Sequence, residues 1–188
     1  MRFAPDTIDT LAFTVALANT VPGASRSGED ELSSPAQLTA LVTEHSYSGR
    51  FDRDEKELAE VVEARALLRH IWTHSRDEAV PVVNRMLQEA NALPHLVRHD
   101  GFDWHLHATE DFAPLAERIR VEVAFALIDV IRAREWDRLR NCAASDCIGL
   151  FVDLSRNGSK RFCSIRCGNR MNMIEHRARV AAEAQDET

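Results

Sequence analysis

Residues 138–170 read RLRNCAASDCIGLFVDLSRNGSKRFCSIRCGNR, and they contain every cysteine of the 188-residue chain. The cysteines form two close pairs separated by fifteen residues, Cys142 with Cys147 and Cys163 with Cys167. Structural zinc prefers four ligands in a tetrahedron, and thiolates are among its favoured ones. Because so short a segment cannot bury a large core, we expect one structural zinc ion to supply folding free energy here.

The residues between the cysteines carry strand and turn signals. Residues 150–153 and 160–162 are predicted strands, and the Asn157-Gly158 pair between them is a strong hairpin-turn signal. Ser164 is a predicted helix cap that places Cys167 in the first helical turn. The pattern therefore predicts a treble-clef-like zinc module made of a knuckle, a β-hairpin and a helix.

Two other interpretations of the cysteines stay open at this point, namely two disulfide bonds or four thiols without a ligand. In a reducing compartment, clustered pairs more often bind metal than cross-link. A catalytic zinc ion agrees less well with the pattern, because four thiolates leave no open position for water.

The rest of the chain is predicted to be mainly helical. Apolar residues recur at helical spacing in five segments, at residues 9–19, 35 to about 47, 52 or 54 to 71, 77–91 and about 112–136. The last segment is the most apolar, so we expect it to be central in the domain. A small β-hairpin is predicted over residues 95–106, around Asp100-Gly101. The predicted domains are residues 1–137 and 138–182, with a disordered tail at 183–188.

Charge is divided unevenly along the chain. The net charge is −7, yet residues 138–179 contain nine Lys or Arg against three Asp or Glu, a formal +6 that leaves −13 for the remainder. No apolar stretch is long enough to span a bilayer and no secretory signal is evident, so we expect a soluble cytoplasmic protein without a membrane partner. Triad, phosphate-loop and dinucleotide motifs are missing from the sequence, and we expect no enzymatic activity.

The motifs carry a family resemblance. Residues 138–170 resemble the CGNR zinc finger, which is named for the tetrapeptide found here at Cys167-Gly168-Asn169-Arg170. The segment Leu17-Ala18-Asn19-Thr20-Val21 resembles the opening of the ABATE domain that usually precedes this finger. The resemblance implies a stress-induced transcription regulator of bacterial type, with an N-terminal domain that senses a small-molecule effector or forms a homodimer and a finger that contacts DNA.

Several basic and polar residues of the finger are candidates for contacting DNA. They are Arg156, Asn157, Lys160, Arg161, Arg166, Arg170 and Arg177. Arginine and lysine bind phosphates, and arginine and asparagine also read base edges. Arg166, Arg170 and Arg177 share one stripe of the last predicted helix, beside an apolar stripe of Met171, Ile174 and Ala178 that could pack. Pairing with the acidic domain, or a protein-interaction role without DNA, competes with this hypothesis.

A few other residues have weaker functional signals. His70 with His74 and His105 with His107 are spaced so that either pair could hold a second metal ion. Trp72, Trp104 and Trp136 are predicted anchors of a core or an interface. Asn19 ends the first helix, so capping competes there with a speculative ligand-binding role. A small-molecule binder would be indicated by an apolar cavity with convergent polar groups.

Overall fold

The computed structural model describes residues 3–45, 47–98 and 103–186. The predicted mainly helical architecture, followed by a small cysteine-rich module, is confirmed. In chain order the elements are α1 (Pro5–Ala18), α2 (Pro35–Glu44), α3 (Glu55–Ile71), α4 (Arg76–Glu89), β1 (His95–Val97), β2 (His105–His107), α5 (Leu115–Ala133), a 3-10 turn (Trp136–Arg138), β3 (Leu139–Asn141), β4 (Leu150–Val152) and α6 (Ile165–Asp186). Each helix in the described residues is too short or too polar to cross a membrane.

The helices begin where side chains can satisfy their first backbone N–H groups. Ser34 accepts a hydrogen bond from the backbone N–H of Gln37 and begins α2, and Asp54 begins α3 in the same way. Ser75 and Glu78 form a reciprocal capping box at α4, which therefore begins one residue before the predicted Asp77. The predicted starts of α2 and α3 are confirmed.

Helix α5 lies at the centre of the helical domain, as its apolar surface predicts. It packs against α1, α3 and α4, and Ile119, Val123 and Leu127 on it are fully buried. Full burial of one such side chain contributes about 1.5–3 kcal/mol. The core therefore surrounds α5, and its edge reaches Leu139 and Leu150 of the cysteine-rich module.

Two antiparallel hairpins complete the fold. Strands β1 and β2 pair with His95 opposite His107, which confirms the predicted hairpin, although its Asp100-Gly101 turn lies outside the described residues. Strand β4 forms where residues 150–153 predicted it, but it pairs with β3, with Leu139 opposite Val152. The prediction that residues 160–162 form its partner strand is wrong.

The buried carboxylate of Asp153 explains that difference. It accepts hydrogen bonds from the Ser155 backbone N–H at 3.0 Å and from the Lys160 N–H at 2.8 Å, so the loop after β4 is tied to a side chain and not to a strand. Helix α6 then continues to Asp186, past the predicted start of a disordered tail at residue 183.

Candidate metal centre

The first cysteine pair lies in the loop of the β3–β4 hairpin. Cys142 directly follows β3, and its backbone N–H donates to the Gly149 carbonyl at 2.7 Å. The Cys147 N–H donates to the Ala144 carbonyl at 3.1 Å, which closes a tight turn between the two cysteines. Both thiols therefore point from one short, hydrogen-bonded loop.

The second pair lies at the start of α6. The Ser164 hydroxyl accepts a hydrogen bond from the Cys167 backbone N–H at 3.2 Å, which is the predicted cap. Cys163 precedes the helix and Cys167 lies in its first turn. The positive end of the helix dipole therefore faces the sulfur atoms, where it favours negative charge.

The four sulfur atoms form one compact cluster. All of them lie within 4.8 Å of one another, and both Cys147 and Cys167 have their sulfur atoms 3.7 Å from that of Cys163. A tetrahedron with zinc–sulfur bonds of about 2.3 Å separates its sulfur atoms by about 3.8 Å. A disulfide bond would bring two sulfur atoms to about 2.05 Å, and all four cysteines are free thiols. The donor set therefore fits a tetrahedral zinc ion.

The protonation preferences of the thiols also favour a bound cation. Burial raises the pKa of the Cys147 and Cys163 thiols, and hydrogen bonds with the neighbouring thiols raise that of Cys163 further. Burial acts in the same direction on Cys167, but hydrogen bonds with Ser164 and the other thiols outweigh it and lower its pKa to about 7. Four thiolates clustered this closely need a positive partner, so binding of a metal would release protons.

Backbone and side-chain N–H groups surround the sulfur atoms. The Gly149 N–H donates to Cys147 Sγ at 3.3 Å, and the Cys163 N–H donates to Cys142 Sγ at 3.5 Å. Arg170 Nη2 lies 3.6 Å from Cys167 Sγ. Such donors disperse the negative charge of metal-bound thiolates and orient them.

Gly149 approaches the cluster more closely than any other residue type could. A Cβ atom at this position would lie 2.9 Å from Cys163 Sγ and 3.1 Å from Cys147 Sγ. Sequence reasoning missed this role, although the position of a glycine two residues after a cysteine in a knuckle was a usable signal. Glycine is therefore required by space here.

Two protein-family models match the chain. The model of the ABATE family, described as "Putative stress-induced transcription regulator", matches residues 11–134, which is well over half of the chain. The chain belongs to the ABATE family. The model of the CGNR zinc finger matches residues 138–180, including all four cysteines. No curated protein matches the chain.

The candidate DNA-contacting residues of the CGNR finger fall into two groups. Arg166 donates to the Arg26 and Ser25 carbonyls of the ABATE domain, and Arg170 forms an ion pair with Asp146 at 2.7 Å. Both arginines are thus engaged within the protein. The remaining candidates are exposed, and they are Arg156, Asn157, Lys160, Arg161 and Arg177.

The apolar stripe of α6, which the sequence suggested could pack against the rest of the protein, is mostly exposed. Met171 is half-buried, but Ile174 and Ala178 are exposed, because no element of the described chain covers this part of the helix. Most of α6 therefore extends away from the finger.

Asn19 joins the ABATE domain to the finger. Its Nδ2 donates to the Leu150 carbonyl at 2.8 Å and its Oδ1 accepts from the Leu150 N–H at 2.8 Å. Arg69 adds hydrogen bonds from one guanidinium to the Ala18 and Ile148 carbonyls, on either side of the junction. The structure thus gives Asn19 a junction contact, and its suggested ligand-binding role stays a prediction.

Each predicted histidine pair brings together fewer possible metal ligands than the cysteine cluster does. Nδ1 of His74 lies 3.0 Å from the His70 carbonyl, whereas Nε2 of His105 lies 3.2 Å from Nε2 of His107. Within the described ranges, the four cysteines alone bring three or more candidate metal ligands together. Two histidines by themselves make a weak metal site.

The tryptophans have two kinds of environment. Trp72 and Trp136 are buried core residues, and Trp136 Nε1 donates to the His74 carbonyl at 2.9 Å. Trp104 is 64% exposed, so it is not a core residue, and of the two predicted roles the interface anchor stays a prediction. Its place on the two-stranded hairpin explains the exposure, since such a hairpin has no second layer over its outer face.

Proposed function

We propose that this chain is a zinc-dependent transcription regulator. In this proposal the ABATE domain senses a small molecule or dimerises, and the CGNR finger contacts duplex DNA. The observation that carries the proposal is the exposed basic surface of the finger, to which Arg156, Lys160, Arg161 and Arg177 belong. The family membership supports a regulator-like role.

One zinc ion held by all four cysteines would organise that surface. The proposal rests on the sulfur separations, which match one tetrahedral site, and on the proximity of both cysteine pairs. Zinc with four thiolates carries a charge of about −2. The finger, at a formal +6 before this correction, would therefore stay positive by about four charges.

Two basic side chains in the loop between β4 and α6 lie near aromatic rings. Lys160 Nζ lies 5.1 Å from the centre of the Phe151 ring, and the Arg161 guanidinium lies 5.3 Å from that of Phe162. Such cation–π contacts contribute about 0.5–1 kcal/mol at exposed sites. This loop therefore offers positive charge to solvent, which suits recognition of phosphates.

The contacts between the two domains could couple binding of an effector in the ABATE domain to the position of the finger on DNA. Asn19 follows α1 directly and pairs with β4 of the finger, while Arg166 of α6 holds the loop after α1. A ligand that shifts α1 would act on both contacts. This makes a change in the position of the finger the expected response to an effector.

The test is binding of a randomised duplex DNA pool by the zinc-loaded full chain over a range of salt concentrations. Replacing both Arg156 and Lys160 by alanine should reduce the slope of log affinity against log salt by about two, because each phosphate contact contributes about one. The matched control is Arg85→Ala on α4, an exposed arginine of the other domain. It should leave the slope unchanged.

Arg170→Ala is a poorer test of DNA contact than the double variant. Arg170 contacts Asp146 and Cys167 Sγ, so its loss would disturb the metal site as well as any DNA contact. Zinc content, measured by elemental analysis, must stay at one ion per chain in the tested variants. Absence of DNA binding by the wild-type chain at low salt would contradict the proposal.

A protein-interaction module is the second candidate function. It is favoured by the exposed apolar residues of α6, since Met173, Ile174 and Val180 are each about half exposed. Contiguous exposed apolar surface commonly marks an interface. This function predicts that alanine at these three positions changes the oligomeric state in sedimentation, while DNA affinity is absent from both wild type and variant.

A further inference from the structure

A cleft of about 250 Å³ opens in the ABATE domain, far along α1 from the finger. Its walls come from α1, from the middle of α5, from β2 and from the loop after α2. An engineered cavity of about 150 Å³ in another protein holds benzene. The cleft therefore has room for a small molecule of one ring and a short chain.

Carboxylates dominate the charge of the cleft. Asp6 and Asp9 of α1 and Glu122 and Asp129 of α5 line it, against a single guanidinium, that of Arg132. With neutral histidines these groups sum to −3. Asp129 Oδ2 accepts a hydrogen bond from Thr7 at 2.7 Å, which holds α1 against α5 at this wall.

Aromatic rings form another part of the wall. Phe13 contacts the Tyr47 ring at 4.9 Å and the His45 ring at 5.4 Å between ring centres, and Phe125 lies on α5 in the same cleft. The Arg118 guanidinium lies 5.5 Å from the centre of the Tyr47 ring but does not line the cleft. Its N–H groups donate to backbone carbonyls of residues 48, 50 and 113, so it is engaged elsewhere.

The Tyr47 hydroxyl is a second sign of a ligand. Tyr47 lines the cleft, and its hydroxyl oxygen is shielded from solvent yet has no hydrogen-bond partner within 3.5 Å among the described residues. Burial, and then the charge of Glu122 and a long, weak hydrogen bond with that carboxylate, raise the pKa of this phenol well above its usual value, so it stays neutral. A buried hydroxyl without a close partner is costly in free energy, and a ligand that hydrogen-bonds to it recovers part of that cost.

We propose that this cleft binds an organic cation, in which a protonated amine is carried on a small apolar body. The ammonium group would lie among the carboxylates and accept stabilisation from the aromatic faces, while the Tyr47 hydroxyl accepts one of its hydrogen bonds. A carboxylate ligand would meet repulsion from four like charges. A metal ion lacks a third grouped ligand within the described residues of the cleft.

The inference deepens the sensing role in the proposed function and rests on it. It is tested by calorimetric titration of the zinc-loaded full chain, without DNA, so that its outcome is separate from that of the DNA experiment. Three ligands of similar shape are compared, namely phenethylammonium, 2-phenylethanol and 3-phenylpropionate. Phenethylammonium should bind at least tenfold more tightly than the neutral alcohol, and the carboxylate should bind weakest.

Two variants and one control locate the site. Glu122→Gln should weaken phenethylammonium binding at least tenfold, and Tyr47→Phe should weaken it several-fold. Glu89→Gln removes one exposed carboxylate outside the cleft and should have no effect. Circular dichroism checks that each variant is folded, and the comparison of the three ligands on the wild type needs no variant.

Several results would overturn the proposal. They are equal binding of amine and alcohol, preference for the carboxylate, and phenethylammonium affinity unchanged by Glu122→Gln in a folded protein. Binding of Ni²⁺ in place of phenethylammonium, lost in His107→Gln, would show a histidine metal site instead and would also overturn it.

Discussion

Gly149 matters to the metal centre because it has no side chain and can therefore lie close to the sulfur atoms. Its N–H donates to Cys147 Sγ, and an added Cβ would lie 2.9 Å from Cys163 Sγ. Gly149→Ala should therefore lower zinc affinity about 10–100-fold, the range seen when groups around metal ligands are changed. Competition with a chromogenic chelator measures the affinity.

Gly168→Ala is the matched control for that variant, because it lies in the same finger but inside α6. A Cβ at Gly168 would contact the Phe162 ring at an ordinary 3.4 Å, and alanine favours the helix. Its zinc affinity should remain close to that of the wild type. Equal affinities for both variants and the wild type would show that the close approach of Gly149 has no energetic consequence.

Other residue roles depend on partners distant in sequence. The sequence predicts Asp153 only as the last residue of a strand. In the structure its carboxylate is fully buried and accepts a hydrogen bond from the Lys160 backbone N–H, which orders the loop between them. Burial alone would raise its pKa, but the hydrogen bonds with Ser155 and Lys160 outweigh burial and lower it. Nothing in the local pattern distinguishes such an aspartate from an exposed one.

At the scale of elements, the loop between α1 and α2 connects the two domains. The buried Arg65 of α3 holds it by an ion pair with Asp30 at 2.7 Å and by a hydrogen bond to Thr20 at 2.8 Å. The same loop offers the Gly23 carbonyl to the Ile148 N–H and the Ser25 carbonyl to Arg166. The ion pair therefore stabilises the surface on which the finger rests.

Asp30→Asn should lower the free energy of unfolding by about 1.5 kcal/mol, since Asp30 is partly exposed and its hydrogen bonds to Arg65 are charged. The Arg65 hydrogen bonds hold the pKa of Asp30 below its usual value. A lowered carboxyl pKa stabilises the fold above the unfolded value of about 3.9, and the effect disappears as the pH falls through the folded pKa.

Urea unfolding of wild type and Asp30→Asn should thus differ fully above about pH 5 and progressively less below about pH 4. Zinc release in acid affects the wild type and the variant alike. The difference between their free energies of unfolding therefore reports on Asp30. Glu89→Gln, with an exposed carboxylate at the end of α4, controls for loss of one charge. A difference that stays constant down to pH 3 would contradict this account.

At the scale of the whole molecule, two sources of stability lie side by side. The ABATE domain has an apolar core around α5 that reaches the finger at Leu139 and Leu150, and the finger adds a cluster of four sulfur atoms and a short hairpin. In the described part of the chain, the six α-helices contain 96 residues, of which α6 contributes 22. Loss of metal should therefore affect a minor part of the helix content.

Chelation of zinc should reduce the far-ultraviolet circular dichroism signal by up to about a quarter and leave a cooperative thermal transition for the ABATE domain. Hydrogen exchange should rise in β3, β4 and α6 while α5 stays protected. The control is the same chelator saturated with zinc beforehand. Collapse of all helical signal on chelation would show that the core depends on the metal.

Much of this protein is encoded in short stretches of its sequence. The caps at Ser34, Asp54 and Ser164 depend on side-chain and backbone groups three residues apart, so helix starts follow from local pattern. The clustering of four thiols likewise depends on cysteine spacing and on the affinity of sulfur for zinc. These features require no knowledge of distant contacts.

Tertiary structure alone settled which distant groups meet. The partner of β4, the pairing of Asn19 with Leu150 and the engagement of Arg166 by the ABATE domain each join atoms far apart in sequence. The cleft has the same origin, because its carboxylates belong to α1 and α5 and its hydroxyl to a loop. Hydrogen-bonding capacity is a property of each residue, whereas its satisfaction depends on the packing of the whole chain.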